Sequence, residues 1–219
     1  MPNPAIRAVL WDFGGVMTES PFPAFWRFER QRGLPSDFLR RINAQNPDCN
    51  AWARFERAEL SPQQFDEAFA METRGAGHEV RGLEVIDLLY GEVRPAMVAA
   101  LKSSKRHFIN ACVTNNVFAG PGRGFERDPR RTGEWQEILN LFDVVLESSR
   151  IGVRKPEVRF FELACAQLGI TASQAVYLDD LGTNLKPARA MGMHTIKVDD
   201  TETAIAALQS VLGIQLANT

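Results

Sequence analysis

Five short runs of apolar residues constrain the fold of this 219-residue chain more than any other feature. Each run is four to six residues long and shows little alternation of polar and apolar side chains. That pattern is typical of strands buried on both faces, as in a parallel sheet. The predicted strands are residues 6–11, Phe108–Val113, Asp143–Leu146, Ala175–Leu178 and His194–Val198.

Helical periodicity fills most of the intervals between these strands. Apolar residues recur at steps of three and four, which is the spacing of an amphipathic helix. Strands that alternate with such helices predict an α/β fold, with a doubly wound, Rossmann-like and mainly parallel sheet. The predicted helices are Pro95–Lys102, Glu134–Leu141, Pro156–Leu168, Leu185–Met191 and Thr201–Leu212.

Residues 20–93, which we call the cap segment, interrupt this alternation. They contain helical patterns and no convincing strand, and Ser61, Pro62 and Gln64 form a typical helix start. We therefore predict a core of residues 1–19 plus 94–219 and a helical cap domain of residues 20–93, inserted after the first strand. The cap would cover a site, because α/β sheets bind ligands at the carboxyl ends of their strands. Its predicted helices are Phe22–Arg32, Ser36–Asn43, Ala51–Arg57 and Pro62–Glu72.

Composition excludes several classes of protein. Hydrophobic residues make up 45% and charged residues 24% of the chain, which excludes a disordered, collagen-like or coiled-coil protein. The net charge of −2 gives no strong field, so we expect neither nucleic acid nor a membrane as partner. Cys49, Cys112 and Cys165 form no CxxC pair and favour a reducing compartment. With no apparent signal peptide or membrane span, we expect a cytoplasmic protein.

Polar residues that could take part in catalysis or metal binding follow or flank the buried runs in four places. These segments are Asp12–Val16, Thr114–Asn116, Lys155–Pro156 and Asp179–Asp180. Because the carboxyl ends of parallel strands meet at one edge of a sheet, two acidic clusters, a hydroxyl and an ammonium would converge there. Converging carboxylates repel one another unless a cation joins them, and hard oxygen ligands suit Mg²⁺. A Lys and a Thr beside that cation suit a phosphate group.

The four segments, taken in order, resemble the four motifs of the haloacid dehalogenase superfamily, which is dominated by Mg²⁺-dependent phosphatases. Within it the chain is most similar to the N-terminal phosphatase domains of soluble epoxide hydrolases and their relatives. That likeness rests on Leu178–Ala190, LDDLGTNLKPARA, and on the ending at residues 213–216, GIQL. The resemblance covers nearly the whole chain, although the cap segment is matched only as a helical insert. It implies a phosphatase of a small organic phosphate.

The resemblance also implies a set of metal ligands. Asp12, the backbone carbonyl of Gly14 and Asp180 would contact Mg²⁺, and Asp179 would hold its waters or assist coordination. Asn184 would orient its neighbours beside this metal site.

The same resemblance implies the catalytic and phosphate-binding residues. Asp12 would be the nucleophile and would form an aspartyl-phosphate. Thr114 and the backbone of Asn115 would hold the transferring phosphoryl group, and Lys155 would neutralise its oxygens and Asp12.

Gly14 departs from the family pattern, because phosphatases of the family usually carry a general-acid Asp at this position. Loss of a general acid typically lowers the rate by ~10²–10⁴-fold. The chain could use substrates with good leaving groups, take a proton from Glu19 or from a residue of the cap segment, or bind phosphate compounds with little turnover. Because relatives that share this Gly are phosphatases, we rank a weak or selective phosphatase first.

Two alternative functions stay open at this point. One is a non-catalytic protein that binds phosphate ligands, and another is a 2-haloacid dehalogenase, which the paired Asp179 and Asp180 disfavour. The loop Gly120–Arg131 is interpreted as a solvated surface loop, with substrate or dimer contact as the minority interpretation. The substrate is not predicted, and a homodimer is only a guess.

Overall fold

The computed structural model describes residues 2–117 and 129–216, apart from the side chains at positions 129 and 131. Within these ranges the chain forms a five-stranded sheet in the order β3-β2-β1-β4-β5, and every neighbouring pair is parallel. The predicted α/β class and the parallel sheet are confirmed. The strands are β1 Ala8–Trp11, β2 Ile109–Thr114, β3 Val144–Glu147, β4 Ala175–Asp179 and β5 His194–Lys197.

The register of the central strands brings their carboxyl ends level. Trp11, the last residue of β1, pairs with Cys112 of β2 on one side and with Leu178 of β4 on the other. Asp12 therefore leaves the sheet beside the ends of both neighbouring strands.

Helices cover both faces of the sheet. Val9 and Trp11 pack into one layer with α6 and α11, whereas Ala8 and Leu10 pack into the opposite layer with α9 and α10. This two-sided burial explains why the strand sequences are apolar without alternation. The core helices are α6 Pro95–Ser104, α7 Pro129–Leu139, α8 Ser148–Ile151, α9 Val158–Leu168, α10 Gly182–Ala190 and α11 Thr201–Leu212, with a 3₁₀ turn at Ala172–Gln174.

Some predicted helix boundaries were wrong. Helix α9 begins at Val158 rather than Pro156, and α7 begins at Pro129, five residues before Glu134. Helix α8 was not predicted, because its four residues make little more than one turn and show no periodicity. Residues 120–128 of the loop singled out in the sequence lie outside the described residues, whereas residues 129–131 belong to α7.

The cap segment is helical, as predicted, and packs around its own apolar cluster, which includes Phe25, Phe55, Phe65 and Phe69. Ser61 and Gln64 form the predicted reciprocal capping box. The proposed division of the chain into core and cap domains stays a prediction. The helices of the segment are α1 Phe22–Gln31, α2 Phe38–Ala44, α3 Ala51–Glu56, α4 Pro62–Gly75 and the unpredicted α5 Gly82–Ile86.

The chain enters and leaves the cap segment through two paired backbone stretches. The Glu19 amide donates to the Glu92 carbonyl at 2.7 Å, and the Arg94 amide donates to the Met17 carbonyl at 2.8 Å. Gly91 packs so closely here that a Cβ atom would overlap the Glu19 carbonyl oxygen. Among the described helices, none combines the length and the apolar character needed to cross a bilayer.

Candidate active site

Asp12 lies directly beyond β1 and is largely buried. Its backbone amide donates to the Leu178 carbonyl at 2.9 Å, which extends the β1–β4 ladder by one residue. Its Oδ1 atom accepts from the Phe13 amide at 2.7 Å and lies 2.8 Å from Lys155 Nζ. One carboxylate oxygen of Asp12 is therefore held by the protein.

Asp179, at the end of β4, is fully buried and is surrounded by hydrogen-bond donors. Its Oδ2 atom accepts from Lys155 Nζ at 2.9 Å and from the Tyr177 hydroxyl. The Leu181 amide donates to Oδ1 at 2.8 Å, and Asn184 Nδ2 lies 3.1 Å from both oxygens. These contacts engage both oxygens of the carboxylate, which suits an orienting role better than that of an open metal ligand.

Asp180 reaches the cluster because residue 15 is glycine. A Cβ atom on Gly15 would overlap the Asp180 carboxylate, and Gly15 has a φ of +76°, which side chains rarely adopt. One carboxylate oxygen from each of Asp12, Asp179 and Asp180 lies within 4.8 Å of the other two. Two acidic segments that are about 170 residues apart in the sequence thus meet at one point.

Lys155 lies between the carboxylates with only 1% of its surface exposed. The side chain of Asn115 brackets its backbone: Oδ1 accepts from the Lys155 amide at 2.8 Å, and Nδ2 donates to the Lys155 carbonyl at 2.9 Å. The ammonium also lies 5.7 Å from the centre of the Tyr177 ring. The loop that carries Lys155 is thus fixed by the residue that follows β2.

Burial and neighbouring charges shift the pKa values of Asp12, Asp180 and Lys155. Burial raises the pKa of Asp12 well above its ordinary range, and the charges of Asp179 and Asp180 add to this, against the opposing effect of Lys155. Burial, followed by the charge of Asp179, raises the pKa of Asp180 to about 6. Burial alone would lower the pKa of Lys155, but the charges of Asp12 and Asp179 outweigh it and raise that pKa.

This donor set fits Mg²⁺. Three carboxylates and one ammonium leave two negative charges, which one divalent cation would neutralise. The carboxylate oxygens of Asp12 and Asp180 are hard ligands of the kind that Mg²⁺ takes. The space that Gly15 leaves for the Asp180 carboxylate provides the necessary close approach.

The remaining residues singled out in the sequence lie around this cluster. Thr114 ends β2 and is half-buried, next to Asn115. Gly14 is exposed, and a Cβ atom there would meet none of the described residues within 4 Å. Glu19 is held in a bidentate pair with Arg94, at 3.2 Å for each bond, so its carboxylate is already engaged.

Sequence reasoning missed Gly15 and Tyr177 as individual contributors to the site. The signal for Tyr177 was present, because a phenol in an otherwise aliphatic buried strand needs a partner for its hydroxyl. The signal for Gly15 was the adjacent pair Gly14-Gly15, which permits close approach of another group to the backbone, and that group is the Asp180 carboxylate.

A family model for haloacid dehalogenase-like hydrolases matches residues 6–192 of the chain. Acyl-CoA dehydrogenase family member 10 of Mus musculus is 34% identical over 96% of this chain and 19% of its own length. Bifunctional epoxide hydrolase 2 of Sus scrofa is 30% identical over 98% of this chain and 40% of its own length. The chain thus spans less than half of these two relatives.

A smaller relative matches along almost its entire length. Sesquiterpene phosphatase of Aspergillus oryzae is 25% identical over 94% of this chain and 97% of its own length.

Solved structures share the fold. A HAD-like family hydrolase of Porphyromonas gingivalis superposes with a TM-score of 0.68 at 21% identity, over 96% of this chain and 100% of that one. A HAD family enzyme of Bacteroides thetaiotaomicron, in complex with magnesium and inorganic phosphate, gives a TM-score of 0.55 at 17% identity, over 88% of this chain and 93% of that one.

Proposed function

The chain belongs to the haloacid dehalogenase-like hydrolases, and from this premise we propose that it is a Mg²⁺-dependent phosphatase of a small organic phosphate. One observation carries the proposal: carboxylate oxygens of Asp12, Asp179 and Asp180 lie within 4.8 Å of one another, beside the buried ammonium of Lys155. Such a site is suited to hold a cation and a phosphate dianion together. The magnesium and phosphate bound by the Bacteroides enzyme, and the phosphatase among the relatives, support the same chemistry.

Asp12 is the proposed nucleophile. A carboxylate oxygen of Asp12 attacks phosphorus, the bond from phosphorus to the leaving oxygen breaks, and the leaving group departs with that electron pair. Water then attacks the aspartyl-phosphate and releases inorganic phosphate, which restores Asp12. Lys155 orients Asp12 and opposes the rise of its pKa on burial, and Asp179 fixes Lys155 from the other side.

The other residues hold the phosphate and the cation. The Thr114 hydroxyl and the Asn115 backbone would bind the phosphoryl oxygens. Asp12, Asp180 and the Gly14 carbonyl would hold Mg²⁺, and the bound cation would stabilise negative charge on the phosphoryl oxygens. The cap segment, residues 20–93, would cover the site and select the organic part of the substrate.

A second candidate, a protein that binds phosphate compounds with little turnover, is favoured by Gly14. This position offers no side chain to protonate a leaving group, and Glu19 is engaged by Arg94. Because a Cβ atom at residue 14 would meet nothing within 4 Å, Gly14→Asp supplies the missing acid without a steric conflict. We expect this variant to raise turnover of alkyl phosphates by at least tenfold, toward the ~10²–10⁴-fold contribution of a general acid. No gain would show that the missing acid does not limit the rate.

The clustered carboxylates disfavour a dehalogenase. A dehalogenase would use Asp12 to attack carbon, and such chemistry has no need of three carboxylates that require a cation.

The test of the proposed function is phosphate release from a panel of alkyl, aryl and acyl phosphates, with Mg²⁺ and with a chelator. We expect release that depends on Mg²⁺ and is lost in Asp12→Asn. Asp199→Asn is the matched control, because Asp199 is exposed and pairs with Lys197. Release that persists with the chelator or in Asp12→Asn would contradict the proposal.

A further inference from the structure

Glu56, the last residue of α3 in the cap segment, is a buried carboxylate that faces the loops of the core. Its Oε1 atom accepts from Trp52 Nε1 at 2.8 Å. Its Oε2 atom accepts from Asn115 Nδ2 at 3.1 Å and from the guanidinium of Arg154. Sequence analysis did not single out Glu56, because its partners in the core lie 59 and 98 positions away.

The contact with Asn115 brings Glu56 to the active site. The Asn115 side chain brackets the backbone of Lys155, and its Nδ2 group donates both to the Lys155 carbonyl and to Glu56. Arg154, the other partner of Glu56, immediately precedes Lys155. The Glu56 carboxylate of the cap segment therefore contacts both Arg154, which precedes Lys155, and Asn115, which is bonded to the Lys155 backbone.

A second ion pair between the same segments shows that attachment of the cap segment does not depend on Glu56 alone. Arg57 of the cap segment lies 3.3 Å from Glu157 of the core and also donates to the Asp48 carbonyl. Among the described residues, the contacts of Arg57 do not include Asn115 or Lys155. Its partner Glu157 also accepts from the Arg154 amide at 3.3 Å, so Arg57 is a matched control for attachment to this loop without contact with the Asn115 side chain.

We propose that Glu56 is a positioning residue of the active site. It fixes the side-chain amide of Asn115 and, through that amide, the backbone from which Lys155 reaches Asp12 and Asp179 at 2.8 and 2.9 Å. The cap segment thereby contributes to the assembly of the phosphate-binding residues as well as covering them. This inference rests on the proposed function, because it assigns a task to Lys155 and Asn115 in that reaction.

The kinetic test compares Glu56→Gln with Arg57→Gln. Each oxygen of Glu56 accepts a hydrogen bond, so a Gln side chain can keep either the Trp52 bond or the bonds to Asn115 and Arg154, but not both. We expect kcat for phosphate release to fall roughly ten- to a hundredfold in Glu56→Gln, as for a displaced catalytic group. KM should change by less than about threefold, since transition-state stabilisation is what is lost. Arg57→Gln should retain the wild-type kcat, and equal kcat values for the two variants would overturn the proposal.

A second measurement is independent of turnover. In the ¹⁵N spectrum of the protein, the Asn115 side-chain amide signal is assigned by its disappearance in Asn115→Asp. We expect Glu56→Gln to shift this signal and to speed its hydrogen exchange, whereas Arg57→Gln leaves both unchanged. An unchanged Asn115 signal in Glu56→Gln would overturn the positioning role. A shifted signal in a protein that releases no phosphate would overturn the proposed function and leave the structural link established.

Trp52→Phe keeps the test decisive if Glu56→Gln does not fold. This variant removes the indole donor from Glu56 Oε1 and leaves the carboxylate paired with Arg154. We expect a smaller fall in kcat and a shift of the Asn115 signal in the same direction. Wild-type kcat with a wild-type Asn115 signal would count against the proposal.

Discussion

The candidate site depends on the absence of a Cβ atom at Gly15. The Asp180 carboxylate occupies the space where any other residue at position 15 would carry its Cβ atom. The charge of Asp180 therefore lies against the backbone that follows Asp12, and this proximity brings the acidic segments together. Such an arrangement requires at position 15 a residue that has no side chain and accepts a left-handed backbone.

Gly15→Ala and Gly152→Ala separate the steric requirement from backbone strain. Both glycines have a similar positive φ, +76° and +67°, but a Cβ atom at Gly152 would meet nothing within 4 Å. We expect both variants to lose about 1 kcal/mol of unfolding free energy from strain. Only Gly15→Ala should also weaken Mg²⁺ binding, by at least tenfold in a calorimetric titration, because Asp180 must move. Equal Mg²⁺ affinity in the two variants would show that the fit between Gly15 and Asp180 is not needed.

Among the secondary-structure elements, the sequence predicted those strands and helices whose periodicity lies within one segment of the chain. The strands and the long helices each contain the periodicity that predicts them, and apart from the start of α7 their ends agree with the structure within three residues. Helices α5 and α8, of five and four residues, are too short to show it. The hydrogen bonds of Glu56 and Tyr177 depend on tertiary placement, which no single segment encodes.

The paired stretches at the base of the cap segment give a test at this scale. Gly91→Ala would push a Cβ atom into the Glu19 carbonyl and disturb the pairing of Glu19 with Glu92. We expect the variant to lose roughly 1–3 kcal/mol of unfolding free energy, as for other overpacked sites. Gly133→Ala in α7 is the control, since its Cβ atom is unobstructed and a helical Ala should add up to about 1 kcal/mol. A wild-type denaturation midpoint for Gly91→Ala would contradict the close packing of Gly91 against the Glu19 carbonyl.

For the molecule as a whole, acidic and basic residues nearly balance, with a net charge of −2. The carboxylates of Asp12, Asp179 and Asp180 nevertheless meet beside a single ammonium, that of Lys155. A cation would therefore be attracted to this edge of the sheet and not by a general field. Protons compete for the same oxygens, because burial and the neighbouring carboxylates raise the pKa of Asp12 and of Asp180, the latter to about 6.

The raised pKa of Asp180 makes the stability of the metal-free protein depend on pH. Between the ordinary pKa of 3.8 and the raised value near 6, the folded metal-free protein binds more protons at Asp180 than the unfolded chain does. Ionisation in this range therefore destabilises the metal-free protein as the pH rises, and a bound cation removes that penalty.

Calorimetric titration of Mg²⁺ into the metal-free protein, at pH 7 and at pH 5, tests whether the acidic cluster binds a cation. We expect one Mg²⁺ per chain at pH 7 and an affinity about tenfold lower at pH 5, because Asp180 must first lose its proton. We expect no binding by Asp180→Asn at either pH. Asp199→Asn should bind as the wild type does. Absence of binding at pH 7, or equal binding by wild type and Asp180→Asn, would contradict a cation site formed by the acidic segments at residues 12 and 179–180.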